Sequence, residues 1–181
     1  MEQSSTNKNE SFSFPQAIAA SKSLMEQMTN NDLSETEIES AIANIVQSKA
    51  GARGFFVAYL TDDLPLADNP STGVIKGLTT ASEVVVDLLV KNLAMSAGMK
   101  LTHLRNQDPS AAASSARVNE RTIKLIHKID SKQIEQELET LQSTIVKGEG
   151  NYQEFLTKWG YDQEQKEAIN EAVKTAIAPN D

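Results

Sequence analysis

A chain of 181 residues, 39% hydrophobic and 23% charged, fits one domain with a sizeable core, or one domain with a small appendage. It has no cysteine, which excludes a disulfide framework, a thiolate metal site, a cysteine nucleophile and thioether attachment of a cofactor. The net charge is -8, yet seven basic and three acidic side chains between residues 91 and 130 make that segment locally positive.

Residues 1–13 are too polar to offset ordering entropy and are expected to be disordered. Met1 to Asn9 show neither the apolar run nor the cleavage site of a signal peptide. The most apolar stretch, Val84 to Met99, is interrupted by Asp87 and Lys91, so no membrane insertion is expected and the cytoplasm is the default location.

A first helix is predicted to start near Pro15 and to carry Ile18, Leu24, Met25 and Met28. Ser34-Glu35-Thr36-Glu37 is a capping box, in which serine and glutamate satisfy each other's backbone donors, and Ile38, Ala41, Ile42, Ile45 and Val46 follow as an apolar stripe. Gly51 to Leu60 has strand composition in Phe55 to Leu60 but no partner strand elsewhere, so helix is the preferred reading. Asp62 to Pro70 reads as a loop, and a short helix follows it through Leu78.

The predicted helix from Ala81 to Asn106 is the centre of the molecule. Glu83, Asp87 and Lys91 form one narrow polar stripe on it, and nearly every other direction is apolar. Such a helix must be covered on most sides, by its own chain or by a second subunit, and a homodimer is the expectation. Val85, Leu89, Leu93, Met95, Leu125, Ile129 and Leu138 are expected to be buried. Asp108 and Pro109 signal a new helix start, Ala111 to Ala116 reads as helix or connector, and Arg117 to Ile129 as helix. Beyond Asp130-Ser131, residues Ile134, Leu138, Leu141 and Ile145 step four, three, four, a short coiled-coil-like seam.

Gly148 to Gly150 is the best internal boundary. It gives a helical core domain over 14–148 and a C-terminal helical hairpin over 149–181. In the hairpin Asn151 and Glu154 are expected to cap a first helix, Gly160 to end it and Asp162 to cap the second. Tyr152, Phe155 and Trp159 read as hairpin core before partner anchor. The fold class is therefore all-α, a multi-helix bundle around a central buried helix, with a C-terminal helical hairpin.

No catalytic, metal or cofactor site emerges. Ala94-Met95-Ser96-Ala97-Gly98 is one glycine short of a nucleophile elbow and lies inside a helix rather than on a strand-to-helix turn. Neither His103 nor His127 belongs to a helical metal-ligand pattern, and Gly148-Glu149-Gly150 lacks the strand and the third glycine of a phosphate loop. Arg117, Arg121, Lys124 and Lys128 share one helix face, which Lys100 and Arg105 can join if the two helices are antiparallel, as candidates to hold nucleic-acid phosphates, an anionic ligand or an acidic partner. Pairing of this face with the chain's own acidic groups is the reading preferred over a ligand site. Nucleic acid is disfavoured by the overall acidity and the lack of interleaved aromatics, and the acidic start of the last helix, Gln163 to Glu167, argues against a groove-reading helix. Phe55, Phe56, Tyr59, Met95 and Met99 are candidates to line an apolar pocket for a small ligand. A non-enzymatic interaction, regulatory or adaptor protein is the leading expectation, with a protein partner and no cofactor.

The run Gly51-Ala52-Arg53-Gly54-Phe55-Phe56-Val57-Ala58-Tyr59-Leu60-Thr61, continued by Leu66 to Pro70, Leu89 to Ser96 and His103 to Asn106, resembles an uncharacterised family of cyanobacterial proteins. The resemblance covers about residues 34 to 129. It implies a cyanobacterial cytoplasm and carries over no functional residue.

Overall fold

A computed structural model describes residues 11–179. Among the described residues there are nine α-helices and no strand: α1 (Phe14–Thr29), α2 (Glu35–Ile45), α3 (Lys49–Thr61), α4 (Thr72–Thr79), α5 (Ser82–Arg105), α6 (Pro109–Ile129), α7 (Lys132–Lys147), α8 (Gln153–Trp159) and α9 (Gln163–Ile177). The fold is an all-α bundle. Residues 1–10, part of the segment expected to be disordered, lie outside the described residues.

The helix starts follow local chemistry. Ser13 and Gln16 form a capping box on α1, Ser34 and Glu37 on α2, and Asp162 and Gln165 on α9. Asp108 accepts from the Ala111 N–H at 3.0 Å with Pro109 in the first turn, so α6 begins there and takes in the alanine- and serine-rich stretch. Gly148 and Gly160 take the left-handed conformation that ends α7 and α8. The start of α8 differs from expectation: Tyr152 is the N-cap residue, with no side-chain cap, and neither Asn151 nor Glu154 serves. The buried Tyr152 ring is anchored through its hydroxyl on Glu137, 2.7 Å away, which fixes where the helix can begin.

Gly51 to Leu60 is helical, as preferred. Its aromatic residues face inward, where the rings of Phe55 and Tyr59 stack at 5.1 Å and Phe56 meets Phe55 edge-on at 5.6 Å. Gly54 lets α1 approach, since a Cβ there would lie 2.5 Å from that of Ala17.

Helix α5 is the hub, packed against α3, α4, α6, α7 and α9. Leu89, Val90, Leu93 and Ala94 are fully buried within the single chain. Much of this helix is therefore covered by its own chain, the alternative to cover by a second subunit, although Leu104 near its end is 52% exposed. The hairpin contributes to the cover: Tyr161, Ile169 and Val173 belong to the same core cluster as Leu89 and Leu93. At Gly98 a Cβ would stand 2.6 Å from the Tyr161 ring, so the missing side chain makes room for an aromatic of the chain itself. Gln165 then donates to the Gly98 carbonyl at 3.2 Å and to Thr102 at 2.8 Å, tying α9 to α5. Val85, Leu89, Leu93, Leu125 and Leu138 are buried as expected, but Met95 and Ile129 only partly: Met95 opens into a cleft and Ile129 ends its helix beside the left-handed Asp130.

Candidate functional site

The basic residues of α6 lie along the segment between α3 and α4. Arg121, on the face read as pairing with the chain's own acidic groups, is 2% exposed rather than solvated. Its Nε donates to Asp68 Oδ1 at 2.8 Å, its Nη1 to the carbonyls of Leu60 and Asp62 at 3.0 and 2.7 Å, and its Nη2 to that of Leu64 at 3.3 Å. Arg117 reaches Asp63 and the Thr61 carbonyl, each at 3.2 Å, and Lys128 reaches Asn69 and the Pro70 carbonyl. Together they strap the segment 60–70, which carries a 3-10 turn at Pro65–Asp68, onto α6. The hydrogen bond from Arg121, aided by the nearby charges of Lys124 and Arg117, holds the Asp68 carboxyl below its ordinary value.

Of this stripe only Lys124, which is exposed, makes neither a salt bridge nor a side-chain hydrogen bond among the described residues. Arg105 is elsewhere: it pairs with Asp162 at 2.6 Å and with Glu164 at the start of α9. The Asp162 carboxyl is lowered first by Arg105 and then by the Gln165 N–H. These five residues thus divide between two tethers, with Lys124 left over.

The apolar candidates divide as well. Phe55 and Tyr59 belong to the core, where burial raises the Tyr59 hydroxyl above its usual pKa and its proton goes to the Leu66 carbonyl at 3.1 Å. Met99 is partly exposed and away from the cleft, whereas Phe56 and Met95 do line it.

That cleft has a volume of about 750 Å³. It is lined by Lys49, Arg53 and Val57, at successive turns of α3, by Glu154, Phe155, Lys158 and Trp159 of α8, and by Asp87, Leu88, Lys91, Asn92 and Met95 of α5. Asp87 and Lys91 of the polar stripe thus line the cleft, while Leu89, Val90, Leu93 and Ala94 of the same helix are fully buried. Asp87 and Lys91 pair there at 2.8 Å. Nearby, burial and the Glu137 carboxylate raise the Tyr152 hydroxyl pKa, so it stays a proton donor. Four large apolar side chains are exposed among the described residues, and two of them, Val57 at 44% and Trp159 at 46%, flank this cleft. Trp159, read from sequence as hairpin core, instead stands at its edge.

Ser96 is buried in α5, donating to the Leu93 carbonyl at 3.1 Å and accepting from Asn119 at 2.9 Å, which is a structural placement rather than that of an exposed nucleophile. His127 shares a hydrogen bond of 3.1 Å with the Ala176 carbonyl in the last turn of α9. Among the described residues no group of three or more histidine, aspartate or glutamate side chains is placed to hold a metal, and no helix is long and apolar enough to cross a membrane.

Residues 13–176 match the family described as Uncharacterised conserved protein UCP020893. The chain belongs to this family. The match spans every helix from α1 almost to the end of α9. No curated protein and no solved structure matches the chain.

Proposed function

We propose that this family member is a non-enzymatic binding protein whose cleft between α3 and α8 takes a segment of a protein partner. The observation that carries the reading is that Val57 and Trp159, each nearly half exposed, line one cleft. Exposed aromatic and aliphatic side chains around a concave surface are the usual anchors of a partner. A small apolar ligand fits less well, because charged groups of α3, α5, α7 and α8 interrupt the apolar lining.

The test is capture of partners from the native cell extract on immobilised wild type, Trp159→Ala and Val57→Glu, with Lys124→Glu as a control away from the cleft. Partners retained by wild type and by Lys124→Glu, but lost by both cleft variants, support the reading. Equal retention by all four proteins refutes it.

A further inference from the structure

Resting on that reading of the cleft, we propose that the segment it takes is acidic: a stretch of polypeptide in which glutamate or aspartate flanks bulky apolar side chains. Within the cleft Asp87 is matched by Lys91 at 2.8 Å, and Glu137 holds the Tyr152 hydroxyl at 2.7 Å. The lining charges with no salt bridge or side-chain hydrogen bond among the described residues are Lys49, Arg53, Lys158 and Glu154, and all four are exposed. Three of the four are positive, on a chain whose net charge is -8.

The placement of Lys49 and Arg53 is unfavourable for the free protein. Lys49 and Arg53 are one turn apart on α3, where like charges repel. Lys49 also occupies the first turn, where positive charge opposes the helix dipole and no acidic residue offsets it. Arg53 is held in place by the Phe14 ring, 5.2 Å below its guanidinium carbon, rather than by a carboxylate. Carboxylates supplied by a partner would relieve these repulsions, and apolar side chains between them would cover Val57 and Trp159. Acidic and apolar groups in one segment are thus the complement of this surface.

Trp159 is the chain's only tryptophan, so its fluorescence reports occupancy directly. Three synthetic peptides of equal length, identical in their leucine and phenylalanine positions but flanked by Glu, Gln or Lys, are titrated onto the full chain. The Glu peptide is expected to shift the Trp159 emission to the blue and to bind about tenfold more tightly than the Gln peptide, with the ratio shrinking as salt is raised. The double variant Lys49→Glu with Arg53→Glu, at two exposed positions, is expected to transfer the preference to the Lys peptide. Equal affinity for the Glu and Gln peptides, or a wild-type preference for the Lys peptide, overturns the proposal. So does an absence of any shift, or a stronger response to a single-stranded oligonucleotide than to the Glu peptide. In each of these cases the capture experiment still decides separately whether the cleft binds a partner at all.

Discussion

Arg121 and Asp68 are 53 residues apart in sequence and are joined by a 2.8 Å hydrogen bond from Nε to Oδ1. The arginine also binds three carbonyls of the segment it straps, so its removal leaves several partly buried acceptors without a donor. Arg121→Ala is therefore expected to cost about 3 kcal/mol or more in urea unfolding. Arg121→Lys should recover only part of this, since one ammonium cannot reproduce the planar fork. An alanine variant within about 0.5 kcal/mol of wild type would show the strap to be ornamental.

The same contact gives a pH dependence. The Asp68 carboxyl is lowered chiefly by the Arg121 hydrogen bond. A carboxylate whose folded-state pKa lies below its unfolded value, about 4, stabilises the protein above that pH. The contribution is lost as pH falls through the depressed folded value. Asp68→Asn is expected to lower stability at neutral pH and to flatten the acid limb of a stability–pH curve below about pH 4. An acid limb of unchanged slope would show that Asp68 does not contribute. Asp162 and Glu37 are lowered as well and remain in the variant, so the flattening is partial.

How far the sequence could be read depended on whether the signal was local. Ser34 with Glu37, Asp108 with Pro109, and Gly160 act within one helical turn, so each could be recognised without knowing the fold. The four, three, four spacing of Arg117, Arg121, Lys124 and Lys128 correctly put them along one helix, but spacing carries no depth. Arg121 is buried because residues 60–70 fold back over it, a long-range event. The cleft was assembled in the same way, from elements far apart in the chain. Its legible traces are Phe56 and Met95 among the pocket candidates, and Asp87 and Lys91 of the polar stripe on the central helix. Aromatic composition made α3 ambiguous, because Phe55, Phe56 and Tyr59 suit a strand as well as a buried helix face.

Stability and binding should separate between core and cleft. Leu93 is fully buried in α5, and Leu93→Ala is expected to cost about 2–5 kcal/mol. Trp159→Ala, at a position nearly half exposed, is expected to change stability by no more than about 0.5 kcal/mol while reducing partner capture. A large loss of thermal stability in Trp159→Ala would mark the residue as part of the fold rather than an anchor.

Gly98→Ala sets two effects against each other. Alanine is the better helix former by about 1 kcal/mol in a helix interior. Its Cβ, however, would stand 2.6 Å from the Tyr161 ring, and overpacking of a buried site costs about 1–3 kcal/mol. The ring is itself buried, so it cannot simply swing into solvent. The net effect is expected to be destabilising by about 1 kcal/mol. In the Tyr161→Leu background the same substitution should become neutral or stabilising, a coupling measurable by a double-mutant cycle in urea.

The last prediction concerns association. An almost uniformly apolar helix argued for a twofold dimer while its cover was unknown. The cover is now identified: α6 lies along α5 on one side, and α9 crosses it where Gly98 admits Tyr161. At its middle α5 leaves open the polar, partly exposed Asp87, Lys91 and Asn92, and near its end Leu104 is exposed. A stable dimer generally buries a large apolar area, and the exposed large apolar side chains here are few: Leu104 and Val146 besides the pair at the cleft. Self-association through the cleft would have to bring carboxylates to Lys49, Arg53 and Lys158 against the mutual repulsion of two chains of net charge -8. Light scattering at micromolar concentration is therefore expected to give a monomer mass, 19.7 kDa, unchanged on a roughly tenfold increase in concentration. A doubled mass that reverts to 19.7 kDa in Val57→Glu would place a second copy in the cleft instead. A doubled mass indifferent to that substitution would locate the interface elsewhere on the surface.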